Sequence, residues 1–496
     1  MKFICAGKTG MIVDMQNNDI KPKLTVSGYR GIWGDSLNEE IVENYTKAFL
    51  KFVQEKINPS PTILLGRDGR ESGPLIKKVI IKIFEEKEIK FIDGDILPTP
   101  TVLFAVRKHK YDGAIIITAS HNPHPYNGLK FVTNKALFTN EQEVEEIKNN
   151  LENNDLHQNI LSETTHKTLL SFCSARAVAL RKAFIKNILV PSIQNENFPK
   201  EHAGQILENI DVKLIQSKKW RVAVDMINAS ACVLDPYLFE KLGVELVPLN
   251  NIPNGKFGHK PEPLRENLGD IGKLVKEKEC DLGFAHDPDA DRLVIVDENG
   301  EVVFEEYTLA FGVEAIMSRS ENFGKNVVIN MSSSNMNEDI AEKYEGKCFR
   351  AKVGEANVVA GIEEHNAIIG GEGGGGVIYP TINMARDSFV SLALILELLA
   401  KRNQTVSECI VTLPRYEMLK DKVPVSGSLE EMYTKMKNHF TDCRVNELDG
   451  LRLDFPDKSW IHLRPSNTEP IIRLYGEAKT KERIEKLFKS TKEVIS

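Results

Sequence analysis

Three aspartates alternate in the stretch Asp287-Pro288-Asp289-Ala290-Asp291-Arg292. Carboxylates at i, i+2 and i+4 in a loop can converge their oxygens on one hard divalent cation. A solvated acidic turn is the plain alternative, but it would set three like charges repelling for no gain. An EF-hand loop is another, since Glu298 stands at position 12; position 6, however, is Arg292 instead of the glycine such a loop needs. The next residues, Leu293-Val294-Ile295-Val296 and Asp297-Glu298-Asn299-Gly300, read as a strand and hairpin turn rather than a helix. The pattern predicts a Mg²⁺-type site, with Arg292 placed to neutralise a phosphate that shares the metal.

A nucleophile candidate stands in Thr118-Ala119-Ser120-His121-Asn122-Pro123, followed by Asn127-Gly128-Leu129-Lys130. The apolar run Ala114–Ile117 before it predicts a buried strand, so Ser120 falls at a strand end, where open α/β folds place their ligands. A solvated turn serine is an equally ordinary use of such a loop. Ser27-Gly28-Tyr29-Arg30-Gly31 is either a plain β-turn or a cation aimed at a phosphate. In Gly370-Gly371-Glu372-Gly373-Gly374-Gly375-Gly376 the glycines permit close backbone approach to a ligand, and Glu372 offers an acceptor suited to sugar hydroxyls. The run lacks the Gly-Lys-Ser/Thr ending of a P-loop. Arg464-Pro465-Ser466-Asn467-Thr468-Glu469-Pro470, with Arg473 beyond, gathers the donors of a phosphate clamp.

The elements that must position these loops read as repeated strand–turn–helix units. Residues 39–57 form an amphipathic helix, Thr62–Leu65 a strand, 75–86 a helix, and Lys90–Asp93 another strand. Trp220–Asp225 opens a second α/β unit, with a helix at 265–278 and a strand at Asp281–Ala285. A third has a helix at 307–319 and strands at Val327–Asn330 and Ala367–Ile369, with Lys352-Val353-Gly354 in a loop between them. Ala175–Leu189 is expected to be helical, and Pro191–His202 to be a polar surface insertion. From about residue 413 the pattern changes to short strands and two helices. At 496 residues and 41% hydrophobic the chain has apolar content for several cores. A net charge of −7 argues against a general nucleic-acid binder, and no run approaches the ~18 apolar residues of a membrane span. Seven dispersed cysteines without a C-x-x-C pair suggest reduced thiols and a cytoplasmic protein.

Together the four loops resemble the α-D-phosphohexomutase family, in its order and spacing, from about residue 25 onward. The resemblance implies three similar α/β domains with mixed sheets and a smaller C-terminal α+β domain around a central cleft. Domain I (1–217) would carry the phosphoserine loop, domain II (218–300) the metal loop, domain III (301–412) the sugar loop and domain IV (413–496) the phosphate loop. By this likeness Ser120 carries the phosphoryl group and joins Asp287, Asp289 and Asp291 on one Mg²⁺ per chain. Arg30, His121, Lys130 and Arg292 line the reaction centre, with Lys130 a proton shuttle. Lys352, Gly354, Glu372 and Gly374 meet the sugar, and Arg464, Ser466, Asn467, Thr468 and Arg473 grip the non-reacting phosphate. A hexose 1,6-bisphosphate is the implied intermediate and activator, and a monomer or homodimer acting on a small sugar phosphate is expected.

Two departures stand out. Many family members have serine and histidine where this chain has Gly374 and Gly376, and Asn228-Ala229-Ser230 replaces a glycine-rich turn. Gly-Glu-Gly-x-Gly-Gly followed by Val-Ile-Tyr-Pro looks most like phosphoglucosamine mutase-type sequences, with phosphomannomutase/phosphoglucomutase next. Two other classes remain open. A metal-dependent phosphatase would use the same aspartates but usually wants an aspartate nucleophile. A non-catalytic sugar-phosphate sensor would have no need of a phosphorylatable serine.

Overall fold

The computed structural model describes residues 24–152, 197–424, 428–465 and 471–495, which fold around four β-sheets. In the first sheet the strands run Tyr29–Ile32, Tyr126–Thr133, Gly113–Ile117, Thr62–Arg67, Lys90–Ile96. Its last three are parallel and its first two antiparallel. The second sheet runs Glu245–Leu249, Arg221–Asp225, Leu282–His286, Leu293–Val296, and the third Lys347–Ala351, Asn326–Asn330, Ala367–Glu372, Gly376–Ile378. Each is a parallel trio closed by one antiparallel strand. All three sheets thus share one four-stranded unit, to which the first adds Tyr29–Ile32. In every copy the candidate loop joins the third strand of the parallel set to its antiparallel partner. The fourth sheet, Glu417–Pro424, Ile471–Ala478, Trp460–Pro465, Leu451–Asp454, Arg444–Asn446, is antiparallel throughout.

Local chemistry sets the helices. Glu39–Lys56 starts at Asn38, whose side chain accepts from the Ile41 amide, and carries Glu39 and Glu40 in its first turn and Lys56 in its last. Its apolar face, with Phe49 stacked on Phe131 at 4.6 Å, covers the first sheet. Ser388–Arg402, capped by Asp387 and ended by Asn403 in a left-handed conformation, is buried along nearly its whole length. With Glu306–Met317 it lies in one continuous core with the second and third sheets.

Several expectations shift in detail. The helix expected at 265–278 begins at Gly269, after a short 3₁₀ turn. Of the polar surface insertion expected over Pro191–His202, residues 191–196 lie outside the described residues, and the expectation fails from Phe198 on, because Phe198–Leu207 is a helix that buries Phe198, Pro199 and His202. Ala175–Leu189 lies outside the described residues. Among those described, no helix is long and apolar enough to cross a membrane, and the cysteines at 232, 280, 348, 409 and 443 are free.

The fourth sheet keeps its own apolar core and meets the third domain through polar groups. Arg452 donates to the Met331 carbonyl, Asn335 N to Glu477, and Lys420 to Glu305. His462 is fully buried at this seam, its Nε2 2.6 Å from the Asp449 carbonyl and its Nδ1 2.9 Å from Ser332 Oγ. A carbonyl only accepts, so Nε2 carries the proton and Nδ1 accepts from the hydroxyl, which is the neutral tautomer. Burial pushes this imidazole down to about 4. An unfolded histidine titrates near ~6.5, so between those values the unfolded chain binds a proton that the folded chain refuses. Stability should therefore fall as pH drops from about 6.5 toward 4, by about 3 kcal/mol from this group. Chemical denaturation at both ends of that range should show most of the difference vanish in His462→Gln.

Candidate active site

The serine loop is built around Arg70. Its NH1 donates to the carbonyls of Pro123 (2.9 Å) and Tyr126 (2.7 Å), and its NH2 to those of Ser120 (2.6 Å) and Asn122 (2.7 Å). Nε donates to Asp68 Oδ2 at 3.0 Å, so all five N–H donors of the guanidinium are used. The pair is buried, Arg70 to 1% exposure and Asp68 to 0%. Asp68 also accepts from Thr118 Oγ1, which in turn accepts from the Ser120 amide. These contacts hold Ser120 at φ +51°, a left-handed conformation that a non-glycine residue adopts only when its surroundings impose it. In the sequence, Gly66–Pro74 shows only as a strand-to-helix turn. Two arginines and an aspartate between glycines, next to a strand end, are the signal it offers.

Ser120 Oγ lies 3.4 Å from Asp287 Oδ2 and 3.4 Å from His121 Nδ1. The three aspartates are fully buried, with one oxygen of each within 4.8 Å of the others. Each has one oxygen turned to protein donors. Asp287 Oδ1 accepts from the amides of Asp291 and Arg292, Asp289 Oδ2 from Lys130 Nζ at 2.8 Å and Thr99 Oγ1 at 3.0 Å, and Asp291 Oδ2 from Arg386. Asp289 Oδ1 and Asp291 Oδ1 accept no hydrogen bond from any described residue. Buried carboxylate oxygens without donors, beside a serine hydroxyl, are the donor set a hard divalent cation takes. The residues therefore fit the expected metal. Burial, then Asp291 and Asp289, push the Asp287 carboxyl well above the usual range. Burial acts the same way on Asp289, but Lys130, Arg386 and Asp287 together outweigh it and the net direction is down.

Cations surround this core. Arg30 donates to Asn122 Oδ1 at 2.8 Å, while its Nε, like that of Arg292, is buried without an acceptor. Burial pulls Arg30 below its ordinary value, but guanidinium remains charged. Arg292, burial and Arg30 together push His121 well below the usual imidazole range, so it is neutral near pH 7. A Cβ at Gly374 would lie 3.8 Å from Arg292 NH1, which places the glycine run over the same cleft.

The run is less of a loop than expected. Gly370, Gly371 and Glu372 continue the strand from Ala367, leaving only 373–375 as the turn before Gly376–Ile378. Glycine is required at 370, where a Cβ would lie 2.3 Å from the Val328 carbonyl of the neighbouring strand. Glu372 Oε1 accepts from Asn330 Nδ2 (2.9 Å) and the Gly354 amide (2.8 Å), which joins Gly354 to this carboxylate. Oε2 accepts from Arg386 NH1 at 2.8 Å. Burial alone would raise the Glu372 carboxyl, but Arg386, Asn330 and the Gly354 amide hold it lower. Arg386, which carries no sequence signal of its own, also donates to Glu355.

Arg464 and Arg473 face each other across adjacent strands of the fourth sheet. Arg464 Nε bonds Asp449, whose Oδ2 also accepts from the Val353 amide at 2.9 Å, and Arg473 Nε is buried without an acceptor among the described residues. Lys352, beside Val353, is exposed. Ser466, Asn467 and Thr468 lie outside the described residues. Ser120, His121, Lys130, Arg30, Arg292, Gly374 and the aspartates thus share one cluster, Glu372 and Gly354 are linked to it through Arg386, and Arg464 and Arg473 approach it from the fourth domain.

A serine hydroxyl, a carboxylate trio and guanidiniums with donors to spare on repeated α/β units describe phosphoryl-transfer machinery. Comparison with known proteins makes the class specific. The phosphoglucomutase/phosphomannomutase family matches along the chain: its α/β/α domain I over residues 21–158, domain II over 200–300, domain III over 305–416 and its C-terminal domain over 422–494. The chain belongs to this family and is a phosphohexomutase, an intramolecular phosphotransferase. A relative from Thermococcus kodakarensis, phosphoglucomutase/phosphomannomutase, is 31% identical, covering 92% of this chain and 94% of that protein. The phosphoglucosamine/phosphogalactosamine mutase of Sulfurisphaera tokodaii is 29% identical over 94% of this chain and 98% of that protein. Among solved structures, a phosphoglucomutase/phosphomannomutase family protein from Burkholderia thailandensis shares the fold (TM-score 0.75, 24% identity, 94% of this chain and 95% of that one).

Removing Arg70 would leave Asp68 buried without its partner and four carbonyls without donors. Arg70→Met should lower unfolding stability by about 3–5 kcal/mol. Arg70→Lys, with three donors and no planar fork, should fall between. Denaturant titration of the three proteins checks the order.

Proposed function

We propose that the enzyme interconverts a hexose 6-phosphate and its 1-phosphate through a phosphoserine at Ser120 and a hexose 1,6-bisphosphate, with glucosamine 6-phosphate as the sugar. The observation that carries the mechanism is Ser120 Oγ set 3.4 Å from Asp287 Oδ2, beside the donor-free oxygens of Asp289 and Asp291. Mg²⁺ held by these three carboxylates and Ser120 would supply charge neutralisation for the moving phosphoryl group.

Ser120 Oγ gives its phosphoryl group to the free hydroxyl of the bound sugar phosphate. The serine O–P bond breaks, the sugar O–P bond forms, and the sugar's hydroxyl proton is relayed by way of Lys130 to the departing Ser120 Oγ, which becomes a hydroxyl again. The bisphosphate then turns over in the cleft and returns its other phosphate to Ser120. Arg30 and Arg292, whose Nε atoms have no acceptor, neutralise the phosphoryl oxygens. Neutral His121 lines the same wall without adding charge. Glu372 takes the sugar hydroxyls, with Gly354, Gly374 and Lys352 alongside. Arg464, Arg473, Ser466, Asn467 and Thr468 hold the phosphate that is not reacting, and one clamp serves both orientations because it recognises phosphate rather than sugar.

The choice of glucosamine 6-phosphate draws on the Gly-Glu-Gly-x-Gly-Gly and Val-Ile-Tyr-Pro pattern and on the name of the Sulfurisphaera tokodaii relative. The second reading, phosphomannomutase/phosphoglucomutase, is favoured by the name of the Thermococcus kodakarensis relative.

Turnover of glucosamine 6-phosphate, mannose 1-phosphate and glucose 1-phosphate, with Mg²⁺ and a trace of hexose 1,6-bisphosphate, tests both levels. Isomerisation should be highest in kcat/KM for glucosamine 6-phosphate. Ser120→Ala should lose on the order of 10⁴-fold or more in kcat. Release of inorganic phosphate in place of the isomer would make the protein a phosphatase. Sugar phosphates that bind but never isomerise would make it a sensor.

A further inference from the structure

Arg386 is the most heavily engaged side chain of the cleft to which the phosphoryl-transfer mechanism gives no part. Its side chain is 12% exposed, and it reaches three carboxylates on three different segments. NH2 bonds Asp291 Oδ2 of the metal loop, NH1 bonds Glu372 Oε2 at 2.8 Å, and Nε bonds Glu355 Oε2 at 3.0 Å. Its backbone amide donates to the other oxygen of Glu355 at 3.2 Å. Its stem fills a particular space: a Cβ at Gly376 would lie 2.3 Å from Arg386 Cδ, 2.9 Å from Cγ and 3.3 Å from Cβ. No side chain at 376 can coexist with Arg386 in this position. Gly376 and Arg386 are therefore a matched pair, the missing side chain of one leaving the room that the other occupies.

We infer that Arg386, seated over Gly376, is the positioning residue that orients Glu372 toward the sugar and ties it to the metal-loop carboxylate Asp291. The inference rests on the reading of Glu372 as the sugar-facing acceptor. A planar fork is needed, because three acceptors in three directions are met by separate nitrogens of one rigid group. An ammonium at the end of a lysine keeps the charge but places it at a single point. The donors from Asn330 and Gly354 fix only Oε1 of Glu372, so without Arg386 the Oε2 side of the carboxylate is free to turn.

The test compares Arg386→Lys, Gly376→Ala and Arg386→Ser with the parent, and adds the double variant Gly376→Ala/Arg386→Ser. Glucosamine 6-phosphate and glucose 1-phosphate are the probes. Affinity is measured by calorimetry in a Ser120→Ala background, so that no turnover intervenes. KM, kcat and thermal midpoint are measured with Ser120 intact. Arg386→Lys should keep most of the thermal stability yet weaken sugar-phosphate binding and raise KM about tenfold or more, the usual effect of losing a residue that orients a ligand-binding group. Gly376→Ala should weaken binding similarly by displacing the guanidinium, and should add no further loss to Arg386→Ser. Unchanged binding and KM in Arg386→Lys would reduce Arg386 to a counter-ion and overturn the inference. So would fully additive losses in the double variant. If the parent itself bound and isomerised neither sugar phosphate, the mutase reading would fail instead, an outcome distinct from both.

Discussion

One guanidinium governs where the Ser120 hydroxyl can be. Arg70 has five N–H groups and uses each on a different acceptor, four of them carbonyls of the turn that holds Ser120. That arrangement keeps a serine in a left-handed backbone conformation and aims its Oγ across a domain boundary at Asp287. The distance between the first and second domains is thus set at a point where both sides are rigid and buried. Phosphoryl transfer asks for positioning and charge neutralisation more than for covalent chemistry, so geometry of this kind contributes most of what a protein supplies to it.

The charge pattern follows from the same confinement. Asp287, Asp289 and Asp291 are buried together, which is unfavourable unless cations share the space. Lys130 serves Asp289, Arg386 serves Asp291, and two backbone amides serve Asp287. Each partner comes from a different element: Lys130 from the first sheet, Arg386 from the third domain, the amides from the loop itself. The aspartate trio is therefore completed only when the domains are docked. Arg30 and Arg292 border the same group, Arg292 Nε lying 3.8 Å from Asp291 Oδ1, and each keeps an Nε that makes no hydrogen bond.

Much of this is legible in the sequence, for identifiable reasons. Ser120, the aspartate trio and Arg464 lie in short segments where residue type and spacing both carry chemistry, and the strand before Ser120 is apolar and β-branched. Element bounds hold to within a few residues where a cap marks them, as at Asn38. The failures have a common physical cause. Arg70 and Arg386 act through contacts 50 or more residues away in the chain, or across loops, and nothing in their neighbours announces a buried fork with several acceptors. The insertion expected over Pro191–His202 fails because Phe198 and His202 find burial against helices that are distant in sequence. The glycine run looks like a loop because glycine disfavours strands in isolation, whereas here the close approach of a neighbouring strand demands it.

The division of the apolar cores has a consequence for how such chains can be recombined. The second and third domains share one hydrophobic interior, threaded by Ser388–Arg402, so swapping either alone would ask two unrelated packing surfaces to interlock. The fourth domain carries its own interior and touches its neighbour through a handful of hydrogen bonds and ion pairs. A chimera joined just after Tyr416 has polar partners of this kind to match, Ser332 with His462, Asn335 with Glu477 and Asp339 with Lys458 among them. Within this architecture, the fourth domain is the one that can be exchanged without redesigning a core.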